Sequence, residues 1–271
     1  MNGAKESAFQ KEVWQYYHTH GRHDLPWRRP EADGRLDPYK VLVSEIMLQQ
    51  TQVPRVIPKF EAFIRQFPSF TVLAAAPLGD VLKAWSGLGY NRRAKFLWQT
   101  AQAVAGLPDG QLPITVAELS KLPGIGKNTA GAVLAYAFNK PVVFIETNIR
   151  TVFIHHFFAD GQLVHDRDIA DIVAKELPDN PREWYWALMD YGVNLKQTSG
   201  NASRKSAHYT KQTAFVGSKR QVRGLVLKVL GEQARTASEL SAKIADERLG
   251  DVLGDLLSEG LIIKQADKYM L

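Results

Sequence analysis

"LPGIGKNTAGAVLAYAFNKPVVFIETNIRTV", residues 122–152, is a glycine-pinched turn between two helical patterns, followed by a short apolar run that ends on Glu146. Gly124 and Gly126 leave the turn free of Cβ atoms, and the next helix begins at once. Amide N–H groups at a helix start lack intrahelical partners and carry the positive end of the dipole. They can therefore hold a phosphate without reading sequence. Glu146 precedes "TNIRTV", where a carboxylate suits a helix start. Position alone leaves open whether it also does chemistry.

Helical periodicity continues on both sides. "KESAFQKEVWQYYHTHG" places Phe9, Val13, Trp14 and Tyr17 on one side of an amphipathic helix that ends at Gly21. A Pro- and Gly-rich loop, "DLPWRRPEADGRLDP", leads to Asp37, which caps a helix with Pro38 at its first position. Further helices are predicted near 54–66, 70–76, 78–85 and 91–106, and through "NIRTVFIHHFF", "HDRDIADIVAKEL" and "PREWYWALMDYGVNLK". The body is mainly α, with no repeat of fixed period.

After residue 197 the composition turns polar and basic. Between Lys196 and Lys228 there are eight Lys or Arg residues and no acid, the pattern of a phosphate-contacting segment. Residues 198–217 read as a basic linker, and 218–271 as a compact unit of three helices and a closing hairpin, "LIIKQADKYML". That pattern predicts a small winged-helix-like domain, with Thr236 and Glu239 forming a capping box.

Composition bounds the chemistry. The 271 residues are 45% apolar and 23% charged, ordinary for a folded chain, and the net charge of +6 suits a polyanionic partner. With no cysteine there is no disulfide, iron–sulfur cluster or thiolate zinc site, and no cofactor is expected. His155 and His156 are adjacent and so face different ways on a helix, which argues against a metal site. No apolar stretch approaches the roughly 18–20 residues of a membrane span, and the N-terminus has no signal-peptide apolar region. A cytoplasmic, nucleoid-associated protein is expected. On the helix from Tyr39, Glu45 shares a face with Val41 and Leu48. A carboxyl among apolar neighbours has a raised pKa and can carry a proton near neutral pH.

Together, "LPW" (25–27), "DPYKVLVSEIMLQQTQV" (37–53), "GLGYNRRA" (87–94), the opening stretch and "ALMDYG" (187–192) resemble the MutY branch of the helix-hairpin-helix (HhH-GPD) DNA glycosylases. The resemblance covers roughly residues 8–195. It implies a two-lobed body within 1–197, with a six-helix lobe at about 28–130 and a second lobe from 1–27 plus 131–197. The implied activity is hydrolysis of the N-glycosidic bond of a flipped-out base in base excision repair, most simply adenine opposite 8-oxoguanine or guanine. Glycosylases for T or U opposite G or for hypoxanthine, and a catalytically weak DNA-binding protein, are the alternatives. The partner is double-stranded DNA with a mismatch or lesion, bound by a monomer.

The resemblance assigns roles by residue. Glu45 corresponds to the acid that protonates the adenine ring, Glu146 to the carboxylate that stabilises the cationic sugar, and Asn148 to its neighbour. His23, Leu25, Trp27, Tyr39, Asn128 and Asp190 fall around the base. Gln49, Gln50, Tyr90, Gly124, Gly126 and Lys127 fall on the DNA, and the basic stretch adds Arg204 and Lys205. Lyase members carry a Schiff-base lysine where this chain has Asn128, so a monofunctional enzyme is implied. Four departures stand out. Glu146 replaces the usual Asp, the four-cysteine cluster loop is absent, 218–271 stands where the family reads the opposite base, and His23 replaces an Arg often found before "LPW". The C-terminal unit is expected to add affinity more than to change base choice.

Overall fold

The computed structural model describes residues 6–159, 161–211 and 214–271. In chain order the helices are α1 (Ala8–His20), α2 (Pro38–Leu48), α3 (Val53–Gln66), α4 (Phe70–Ala75), α5 (Leu78–Trp85), α6 (Arg92–Ala105) and α7 (Val116–Leu119). Then come α8 (Lys127–Phe138), α9 (Thr147–Phe157), α10 (Asp166–Lys175), α11 (Pro181–Thr198), α12 (Lys219–Glu232), α13 (Ala237–Lys243) and α14 (Leu249–Ser258). Short strands β1 (Arg235–Thr236), β2 (Ile263–Gln265) and β3 (Lys268–Met270) complete a mainly α chain. Among the described residues no helix is long and apolar enough to cross a membrane.

The chain divides into two compact units: residues 1–41, 113–121 and 125–211 form one, and 42–112, 122–124 and 212–271 the other. This differs from the expected lobes. The division falls at 41–42 and inside the hairpin segment, not at 28 and 130, and the C-terminal residues share a unit with α3–α6.

In the first unit, α8 is apolar almost all round, and Ala130 through Ala137 are buried, as a central helix must be. Helix α11 packs beside it and against α9, and Phe153, Trp184, Tyr185 and Leu188 are each fully buried. Helices α9 and α11 approach closely at Gly192, where a Cβ would stand 2.6 Å from the Asn148 carbonyl oxygen. Helix α1 starts with a capping box in which Gln10 N donates to Ser7 Oγ (3.1 Å) and Ser7 N to Gln10 Oε1 (3.0 Å). The stretch expected to be a linker is partly docked here. Ala202–Lys205 form a 3₁₀ turn, Val164 N donates to the Lys205 carbonyl (3.0 Å), and Ser203 and Ser206 are buried. Its short polar residues satisfy backbone groups rather than solvate a tether.

In the second unit, α3–α6 close around Phe63, Trp85 and Leu97. Helix α12 packs on α5, and Leu271 lies against Gly79, where a Cβ would meet it at 3.2 Å. The C-terminal elements run helix, strand, helix, helix, strand, strand. Their three-stranded antiparallel sheet has the order β1-β3-β2, with Tyr269 opposite both Arg235 and Lys264. The Thr236–Glu239 capping box forms as its residues predict, with Thr236 N donating to Glu239 Oε2 at 2.7 Å. The strand β1 was not expected, since two residues are too few for a periodic signal.

Candidate active site and DNA interface

Glu146 is the N-cap of α9. Its Oε1 accepts hydrogen bonds from Asn148 N (2.7 Å) and Ile149 N (3.2 Å), so the helix-start role is real. The longer glutamate side chain folds back so that Oε1 reaches both amides of the first turn. Asn128, at the start of α8, fastens the preceding residue: its Nδ2 donates to the Ile145 carbonyl (2.9 Å), and Ile145 N reaches its Oδ1 (3.5 Å). Asn128 thus positions Glu146 through the backbone. On the other side, Lys196 Nζ donates to Asn148 Oδ1 at 2.6 Å, and Arg150 pairs with Asp166 at 2.7 Å.

The electrostatics of this cluster run two ways. Part of the Glu146 side chain reaches solvent, yet protein surrounds the carboxylate densely. That burial is the largest influence on it and pushes its pKa above the ordinary value. The amides of Asn148 and Ile149, then the charges of Lys196 and Arg150, pull the other way. Burial lowers the pKa of Lys196 in turn, partly offset by Glu146. A carboxylate so placed is poorly hydrated and held by fixed dipoles, the environment in which an anion stabilises a developing cation most strongly.

Asp190 has a different task from the one expected. It is 2% exposed and accepts five hydrogen bonds: from Arg22 N, Nε and Nη2, and from Arg28 Nη1 and Nη2. A carboxylate has about four lone-pair sites, so this chain already fills its capacity. Asp190 therefore anchors the 21–28 loop instead of meeting a base. Burial alone would raise its pKa, but the hydrogen bonds and charges of Arg28 and Arg22 outweigh it and hold the carboxyl below its usual range. Leu25 and Trp27 are buried within the same loop, and Arg28 lies 5.2 Å over the Trp186 ring. His23 packs on Tyr17, its Nε2 3.0 Å from the Tyr17 carbonyl oxygen.

The hairpin glycines differ. Gly124 has φ of 73°, and a Cβ there would lie 2.6 Å from Phe96 Cβ, so both conformation and space require glycine. Gly126 has open space where a Cβ would be and caps α8 without a side-chain bond. This leaves the amides of the first turn beside Lys127 without a side-chain cap. Of the added basic residues, Arg204 is exposed and Lys205 half-buried.

In the second unit, Glu45 lies half-buried on α2, between fully buried Leu42 and Val43 and buried Ile46 and Met47. Tyr39, at the start of the same helix, is 3% exposed, and burial followed by the Asp37 charge pushes its phenol pKa up. The segment after α2 is clamped by Arg93. Its Nη1 donates to the carbonyls of Ile46 (2.8 Å), Met47 (3.1 Å) and Gln49, and its Nη2 to Thr51 Oγ1 (3.2 Å) and the carbonyls of Leu88 (3.2 Å) and Gly89 (3.1 Å). One side chain therefore co-positions the loops carrying Gln50 and Tyr90. Burial lowers the Arg93 pKa to about 10, still charged at neutral pH. Sequence reading missed Arg93, Lys196, Arg22 and Arg28 as functional partners. Arg28, Arg93 and Lys196 lie inside quoted stretches, whereas Arg22 falls between two of them.

Comparison with known proteins gives the same family. Residues 43–178 match the HhH-GPD superfamily of base excision DNA repair proteins. The adenine DNA glycosylase of Buchnera aphidicola subsp. Baizongia pistaciae is 43% identical over 55% of this chain and 41% of that protein. The adenine DNA glycosylase of Mycolicibacterium smegmatis is 34% identical over 93% of this chain and 92% of that protein. A thermostable thymine-DNA glycosylase superposes with a TM-score of 0.61 at 25% identity, over 68% of this chain and 84% of that one. An endonuclease III in a non-covalent DNA complex gives 0.55 at 18%, over 70% and 83%, a likeness of fold. The chain belongs to the HhH-GPD superfamily of base excision DNA repair proteins.

Proposed function

We propose that the protein is a monofunctional DNA glycosylase that removes adenine mispaired with guanine or 8-oxoguanine, acting as a monomer on double-stranded DNA. Glu146 is the observation that carries this reading. A carboxylate held by two helix amides, with an asparagine and a lysine beside it, suits a cationic sugar better than it suits a purely structural cap. The adenine DNA glycosylases similar to this chain support the choice of base.

The reaction follows from these parts. The base leaves the stack, since its glycosidic bond is out of reach inside the duplex. Glu45 delivers a proton to the adenine ring, making it a neutral leaving group. Glu146 faces the positive charge that builds on the sugar as the bond breaks, and water completes the hydrolysis. The uncapped amides at Gly126–Lys127 hold a backbone phosphate. Trp27, Leu25, Tyr39 and His23 shape the base pocket, and Gln49, Gln50 and Tyr90 meet the opposite strand. The place of the lyase lysine is taken by Asn128, whose amide is committed to Ile145, so no Schiff base forms there. The residues at 218–271 form a winged-helix-like unit, and Arg204 and Lys205 add backbone contacts.

The test is incubation with duplexes carrying A:8-oxoguanine, A:G, T:G, U:G and hypoxanthine, analysed with and without alkali. Strand breaks at adenine that need alkali, with no borohydride-trapped adduct, are expected. Glu45→Gln should slow base release by about 10²–10⁴-fold, the range of general-acid catalysis. Preferred cleavage at T:G or U:G would instead assign another base. Binding without cleavage on every duplex would overturn the enzyme reading.

A pH profile tests the cluster around Glu146. Its carboxyl must be ionised to stabilise a cation, so activity falls as pH drops through its raised pKa. Lys196→Met removes a charge that favours the ionised form, so the acid limb should move to higher pH. An unmoved limb would place Lys196 outside the reaction.

A further inference from the structure

Helix α11 holds Asn148 with three of its residues. Met189, Gly192 and Lys196 follow at spacings of three and four, so they share one face of that helix. Gly192 brings the helix up to the residue itself, since a Cβ there would stand 2.8 Å from Asn148 Cβ. Lys196 Nζ donates to Asn148 Oδ1 at 2.6 Å. An ammonium can only donate, which fixes the amide: its oxygen faces Lys196, and Nδ2 faces the Met189 sulfur at 3.8 Å. The backbone of the same residue holds the carboxylate, because Asn148 N donates to Glu146 Oε1 at 2.7 Å. A shift of Asn148 therefore reaches Glu146.

A thioether is a weak acceptor, so it steadies the amide without gripping it. It is also the group here that takes up oxygen. The chain has no cysteine and four methionines, so its thioethers are the sulfur atoms that a peroxide meets. Of the methionines among the described residues, Met47 is fully buried, while Met189 and Met270 are half-buried. Met270 ends β3 in the second unit, and Met189 is the one whose sulfur accepts from Asn148.

We propose that Met189 is a modification site at which a peroxide shuts down base release by turning the thioether into a sulfoxide. The sulfur attacks one peroxide oxygen, and a sulfur–oxygen bond forms as the O–O bond breaks. The proton on the transferred oxygen passes to the departing oxygen, which leaves as water or an alcohol. The thioether is oxidised and the peroxide reduced by the same electron pair. The new oxygen is polar and a much stronger acceptor than the sulfur was. It engages Asn148 Nδ2 and adds bulk between α9 and α11, where the contact at Gly192 leaves no space for it. Asn148 is displaced, and the amide that holds Glu146 moves with it. A misplacement of about 1 Å costs on the order of 10²-fold in rate. Met189 is thus a positioning residue that acts through Asn148. This inference rests on the glycosylase reading.

Single-turnover release of adenine from an A:G duplex tests it, before and after dilute hydrogen peroxide, with oxygen uptake at each methionine read by peptide mass spectrometry. Wild type should gain one oxygen at Met189 and none at Met47, and release adenine about 10²-fold more slowly. Methionine sulfoxide reductases for both sulfoxide epimers should restore the rate. Met189→Leu should keep its own untreated rate after peroxide, whereas Met270→Leu should slow as wild type does. Met189→Gln carries a polar acceptor from the outset and guards against a folding defect in the leucine variant. It should be slow already and no slower after peroxide. Met189 left unoxidised, equal slowing of Met189→Leu and wild type, or Met189→Gln as fast as untreated wild type would each overturn the proposal. Adenine release that survives complete oxidation of Met189 would sink this inference alone. No adenine released by untreated wild type would remove the functional reading and this inference with it.

Discussion

Glu146→Gln is expected to slow base release by on the order of 10²–10³-fold, the usual cost of removing one preorganised electrostatic group, while mismatch binding changes little. The amide keeps an oxygen for Asn148 N and Ile149 N, so the cap of α9 survives and the charge is what goes. Stability separates this from a structural defect. The folded pKa of Glu146 is raised. Such a group adds stability that is full below its unfolded pKa, about 4.3, and is lost as pH rises through its folded pKa. At neutral pH the ionised carboxylate therefore costs stability. Glu146→Gln should melt at or above the wild-type temperature at pH 7, with the gap closing near pH 4. A slow variant that also melts well below wild type at pH 7 would show that Glu146 serves the fold first.

Asp190→Ala should be the most destabilising single change in the first unit. It strands Arg28, whose side chain is 5% exposed, and frees Arg22, which is one-third exposed and contributes less. Breaking a buried pair by removing one partner costs about 3–5 kcal/mol, or roughly 2–4 °C of melting temperature per kcal/mol in a protein this size. The wild type should show the matching pH dependence. Asp190 has a lowered folded pKa, so its contribution is present above its unfolded value of about 3.9 and is lost as pH falls through the folded value. Chemical denaturation at pH 7 measures the effect. A loss below about 1 kcal/mol combined with lost excision would return Asp190 to the base pocket.

Much of this was legible in the sequence where the signal is local. The hairpin at 122–127, the Asp37 start of α2, where Asp37 Oδ1 accepts from Tyr39 N at 2.8 Å, and the Thr236–Glu239 box are set by neighbouring residues. Both roles of Glu146 were legible, but the geometry of its cap was not. Whether a glutamate caps a helix depends on how its longer side chain folds back, and no spacing reports that. The Arg28–Asp190 pair joins residues 162 apart, and Lys196 meets Asn148 across 48. Such pairs are fixed by how helices pack, as α9 on α11 at Gly192, and leave no periodic trace. The same reason hid the contact of Arg220, which sits in a basic run that reads as a phosphate-contacting segment. Its partner Tyr90 lies 130 residues away.

The central claim is that this chain breaks the bond between adenine and its sugar and leaves the strand whole. The most direct measurement is mass spectrometry of the free base released from an A:G duplex under single-turnover conditions, with strand integrity read on the same sample. Free adenine in step with alkali-sensitive, otherwise intact DNA is the predicted result. Tight binding of the duplex with no free base released would contradict it.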